Sequence, residues 1–159
     1  MRRAIQSTIV VFCLLVSGLV QAAAHQPMIK ETSPYSVHKT MDRLVDELNK
    51  RHIRVFARID YQANAEDISV ILRPETLLIF SKVSHSTQLV KEAPMFGVYM
   101  PMRVLAWQDA TGQVWIGYND ITKAAPQYDL SPDDPTVQVM SHGLALLCNI
   151  ATGREEATP

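Results

Sequence analysis

Cysteine is nearly absent from this chain of 159 residues: there are two, Cys13 and Cys148. Cys13 lies within an apolar run near the N-terminus, so once that run is removed no internal disulfide can form and Cys148 stands alone. Surrounded in sequence by Leu144, Leu146, Leu147 and Ile150, it reads as a small apolar residue of a buried helix face. Glycine is also scarce, with six residues, and no glycine-rich loop of the phosphate-cradling kind occurs. Ser141-His142-Gly143 lacks the leading glycine of a nucleophile elbow and falls within a helical pattern, so hydrolases built on that motif are set aside. Paired-cysteine metal motifs are missing too. The basic residues are scattered, without a run that could track a phosphate backbone, which argues against nucleic acid as a partner.

What is present begins with a leader. Arg2 and Arg3 precede the apolar stretch from Ile9 to Val16, and no further Lys, Arg, Asp or Glu occurs before Lys30. Ser17 and Gly18 loosen the stretch, and Ala22, Ala23 and Ala24 offer the small residues that a signal peptidase reads. The pattern predicts a signal peptide over residues 1–24 and a mature chain over 25–159, in the periplasm or secreted. The apolar core falls short of the roughly 20 residues that a membrane span needs, so no span is expected after cleavage. Losing Arg2 and Arg3 leaves 13 basic against 16 acidic side chains, a net charge of −3 with histidines neutral. The remaining length suits one domain.

Along the mature chain, residues 28–32 suggest an edge strand ending at Pro34. Ser36 then stands as N-cap to a helix whose apolar stripe is Val37, Met41, Leu44, Val45 and Leu48. At about His52 the period changes: Ile53, Val55, Ala57 and Ile59 alternate with Arg54, Phe56, Arg58 and Asp60, predicting a strand with the first set facing the core. Residues 61–75 read as a loop with a helical turn near Ala65, and residues 76–80 as an inner strand. A loop over 81–86 and a short helix over 87–93, stopped by Pro94, follow. Residues 99–108 and 113–118 form a hairpin around Asp109-Ala110-Thr111-Gly112, with glycine in the last turn position. A loop over 119–135, with a helical turn at 121–125, leads to a closing helix over 136–151. This order predicts an α+β fold: an antiparallel sheet with helices on one face.

Four segments are similar in order and spacing to the domain-of-unknown-function 302 family: Phe56-Ala57-Arg58-Ile59-Asp60, Leu72-Arg73-Pro74-Glu75-Thr76-Leu77-Leu78-Ile79-Phe80, Met100-Pro101-Met102-Arg103-Val104-Leu105-Ala106-Trp107 and Val114-Trp115-Ile116-Gly117-Tyr118-Asn119-Asp120. The resemblance implies a strand, a helix, four strands and a helix in a TATA-binding-protein-like arrangement, with a homodimer as the expected assembly and no established reaction. Two departures stand out. Tyr61 occupies a place where similar members carry histidine, and Ser81-Lys82-Val83-Ser84 replaces a glycine-asparagine-proline-lysine loop.

The candidate site suggested by the sequence is a charged constellation at strand ends: Asp60, Arg73 and Arg103, with Arg58, Tyr61 and Tyr118. Paired arginines hold anions by bidentate hydrogen bonds, and the leading expectation is an exported binding or accessory domain with its ligand groove there, requiring no cofactor. A rival reading makes Asp60 an acid–base group of an envelope enzyme. Another makes the chain a copper-binding protein through His25, His85 and the soft thioethers of Met95, Met100 and Met102. Against both, ion pairs between strand ends and methionines packed in a core account for the same residues.

Overall fold

The computed structural model describes residues 28–154; the expected signal peptide and His25 lie outside them. Five strands form one antiparallel sheet in the order β1-β5-β4-β3-β2. They are β1 (Ile29–Ser33), β2 (Arg54–Asp60), β3 (Glu75–Ser81), β4 (Met102–Gln108) and β5 (Val114–Tyr118). The helices are α1 (Val37–Lys50), α2 (Tyr61–Glu66), α3 (Val83–Glu92), α4 (Ile121–Ala124) and α5 (Pro135–Ala151), with 3-10 turns at Pro94–Val98 and Ala125–Tyr128. The α+β expectation holds, with the short helices inserted between the elements foreseen.

Local chemistry explains the boundaries. Ser36 caps α1, its hydroxyl accepting the Lys39 N–H at 3.2 Å. At the other end His52 takes a left-handed conformation with φ 53°, and the Ile53 N–H returns to the Leu48 carbonyl, turning the chain from helix into strand. Asp134 caps α5 by accepting from the Thr136 and Val137 amides, with Pro135 as its first residue. Gly153, at φ 76°, closes it. Arg43 of α1 donates to the last carbonyls of α5, those of Ile150 and Ala151 at 2.8 and 3.0 Å, locking the two long helices together.

The core lies between the sheet and these helices. Val37, Met41, Leu44 and Leu48 of α1 and Val137, Leu144, Leu147 and Cys148 of α5 are buried against Leu78, Phe80, Val104, Ala106 and Ile116. Alternate sheet residues, among them Leu77, Ile79, Leu105, Trp107 and Trp115, point the other way and keep partial exposure. Trp107 and Trp115 stack there with centroids 6.4 Å apart.

Two expectations need correction. The chain over 81–86 is not all loop, since α3 already starts at Val83. In β2 the alternation also breaks. Val55 pairs with Phe80, but Ala57, not Phe56, pairs with Ile79, so Phe56 is an extra, bulged residue. Beyond it the faces exchange: Ala57 and Ile59 turn away from the helices, while Arg58 and Asp60, opposite Leu78 and Thr76, turn toward them. Phe56 itself stands 49% exposed, with the Arg54 guanidinium over its ring.

Candidate functional site

The bulge decides what becomes of the charged residues singled out by the sequence. Arg58 reaches Asp42 on α1, its terminal nitrogen 2.6 Å from the carboxylate. Asp60 caps α2 by accepting the Ala63 N–H at 3.1 Å, and its other oxygen lies 3.7 Å from Nε2 of His38. Tyr61 begins α2 at the surface. Arg73 is exposed and sits at the same end of the sheet as Asp60, one residue before Pro74, whose carbonyl accepts the Gln108 N–H. Arg103 does not join them. It pairs with Ile79 whereas Asp60 pairs with Thr76, two strands away and three ranks along, which places their Cα atoms about 14 Å apart. Strand alternation also sends Arg103 to the face opposite Asp60. Tyr118 is buried, 5% exposed; burial pushes its phenol well above the ordinary value, with Cys148, Glu31 and Asp120 nearby. Asp60, Arg73, Arg103 and Tyr118 therefore do not converge on one groove.

A different place does gather functional groups. Between the C-terminal end of α1, the start of α3 and one face of α5 lies an apolar cleft of about 270 Å³. Its floor is Phe80, Met102, Met140, Leu144 and Leu147. Gly143 keeps the α5 wall low: a Cβ built there meets nothing within 4 Å. Arg51, Lys82 and His85 also line it. Arg51 is oriented by Glu47, with Nε 2.6 Å from the carboxylate, and Arg51 also holds that carboxyl below its usual range. The Lys82 ammonium donates to the backbone carbonyl of Arg51 at 3.2 Å, which ties the start of α3 to the end of α1. The cleft thus combines an apolar floor with the polar side chains of Arg51, Lys82 and His85.

His85 lines this cleft with only one of the partners expected for it, Met102. It shares the cleft with Met102 and Met140, a soft donor set, beside the cations Arg51, already paired with Glu47, and Lys82. Met95 is instead 65% exposed on the 3-10 turn. Among the described residues, no group of three or more His, Cys, Asp or Glu is arranged to hold a metal ion. The residues missed in the sequence are Arg51, Lys82, Gly143 and Met140. One signal pointed there, the Ser81-Lys82-Val83-Ser84 departure, of which Lys82 lines the cleft.

Comparison with known proteins follows the same fold. The chain is 29% identical over 127 residues to the Fluoride-specific ion channel FluC 1 of Brucella suis biovar 1 (strain 1330), covering 79% of this chain and 50% of that protein. The match to FluC 1 of Brucella abortus biovar 1 (strain 9-941) has the same identity and covers 47% of that protein. The chain therefore spans about half the length of the curated relatives it matches. The crystal structure of an uncharacterized conserved DUF302 protein from Bacillus stearothermophilus superimposes with a TM-score of 0.63 at 14% identity, over 80% of this chain and 96% of that one, a likeness of fold. The model of the domain of unknown function DUF302 matches residues 29–146, and the chain belongs to that family.

Proposed function

We propose that this protein is an exported binding domain that holds a small apolar anion, of the medium-chain carboxylate class, in the cleft between α1, α3 and α5. The carrying observation is the union of an apolar floor with Arg51, Lys82 and His85: the floor takes a hydrocarbon, Arg51 and Lys82 take its charged end, and His85 offers a further hydrogen bond. Export rests on the leader pattern of residues 1–24, and intact mass of the processed protein tests it through a start at His25. Titration calorimetry with decanoate tests the site. Saturable binding is expected, weaker for decanol, and lost in Gly143→Leu, whose side chain fills the cleft from an open position. Equal affinity for decanoate and decanol removes the anionic part of the reading; no saturable binding of either removes the site.

A second reading concerns the surroundings in which the domain works. The curated relatives are named as ion channels and extend well beyond the part that this chain matches. Among the described residues no helix is long and apolar enough to cross a membrane, so we assign ion conduction in those relatives to their other half. This supports the domain as an accessory module working beside a membrane. A homodimer, which the family resemblance implies, is assigned to the partly exposed sheet face around Trp107 and Trp115; light scattering tests it.

A further inference from the structure

The loop after α2 carries an aliphatic tip that no part of the described chain covers. Ile68, Val70, Ile71 and Leu72 are 73%, 49%, 101% and 38% exposed, four large aliphatics within five positions. Single exposed apolar residues are ordinary on protein surfaces, but a contiguous group of this kind marks an interaction site. The tip is held in shape. The Ile68 and Val70 amides donate to the Ala65 carbonyl and the Ser69 amide to that of Glu66, while Ser69 adopts a left-handed φ of 58°. The end of α2 thus fixes the backbone that presents the side chains.

We propose that this tip docks on a lipid bilayer, its aliphatic side chains entering the acyl boundary. The proposal rests on the membrane-side placement given above, and the chemistry of the loop selects the occupant. The four side chains offer hydrocarbon alone, which suits an acyl boundary. Charged residues of both signs flank them, Glu66 and Asp67 on one side and Arg73 and Glu75 on the other. With three carboxylates to one guanidinium, the collar suits the choline amine of a zwitterionic headgroup and disfavours an anionic surface. It sets the depth at which a short aliphatic tip stops, so binding needs no anionic lipid.

Flotation of the residue 25–159 form with phosphatidylcholine vesicles tests this. The wild-type protein is expected to float with the vesicles, with little change on adding salt. Ile71→Ser, at a fully exposed position where folding is not at stake, is expected to lower partitioning about tenfold, and Ile68→Ser combined with it to abolish flotation. Wild-type protein that stays in the aqueous fraction, or variants that float equally, overturn the proposal. So does a dimer that Ile71→Ser converts to monomer without vesicle binding, because the tip is then a protein interface. If cells making the full chain keep it in the membrane fraction while vesicles fail to bind, the loop proposal falls and the membrane-side reading stands.

Discussion

Arg58 of β2 and Asp42 of α1 form an ion pair with 2.6 Å between donor and acceptor, and they do so because Phe56, two positions earlier, is bulged out of the ladder instead of paired in it. Were Phe56 paired in the ladder, strict alternation from Val55 would send Arg58 to the face away from the helices. Both partners are substantially exposed, so a double-mutant cycle with alanine is expected to give a coupling of about 0.2 to 1 kcal/mol. Deleting Phe56 alone restores a regular ladder with the flanking registers intact, so that variant is expected to stay folded with its Arg58–Asp42 coupling preserved. Deleting Leu78 from the inner strand, which reverses one half of β3, is expected to abolish folding. Loss of fold on deleting Phe56 counts against the bulge assignment.

Thr76 is 1% exposed and its hydroxyl has no hydrogen-bond partner among the described residues. A buried polar group left unpaired costs stability, and valine keeps the shape while suiting a strand. Thr76→Val is expected to raise stability by about 1 kcal/mol in chemical denaturation; a loss of that size implies a partner for the hydroxyl.

Asp109 organises the β4–β5 turn. Its carboxylate accepts the Thr111 hydroxyl at 2.6 Å and the Trp115 indole N–H at 2.7 Å, together with backbone amides. These bonds, the Thr111 hydroxyl foremost and Trp115 next, lower its pKa to about 2. Because the folded value lies below the unfolded one, the stabilisation is present above about pH 4 and is lost as pH falls toward 2. Tryptophan fluorescence followed from pH 5 to pH 2 is expected to show a transition near pH 2 that Asp109→Asn removes.

Cys148 has no exposed surface, and burial raises its thiol well above the usual range. The apolar role inferred from its leucine neighbours agrees with this placement. A thiol reagent at pH 8 is expected to leave the native protein unlabelled and to label one cysteine per mature chain after denaturation; rapid native labelling contradicts the burial.

The features legible in the sequence are those decided within a few residues. Ser36 announces α1 because a hydroxyl before an apolar stripe satisfies a helix amide. Gly112 marks the hairpin because its turn requires φ 88°, and the change of period at His52 marks a helix giving way to a strand. The expected site failed for a nonlocal reason. Asp60 and Arg103 look alike as charges at strand ends, but pairing with opposite halves of β3 separates them, and a single bulge in β2 turned Asp60 to the other face of the sheet. The cleft was equally out of reach, since Lys82 and His85 meet Met140, Gly143 and Leu144 only through the packing of α3 and α5. Local hydrogen bonding and periodicity determined which elements form; strand register and helix packing, set by contacts between distant parts of the chain, decided which side chains face each other.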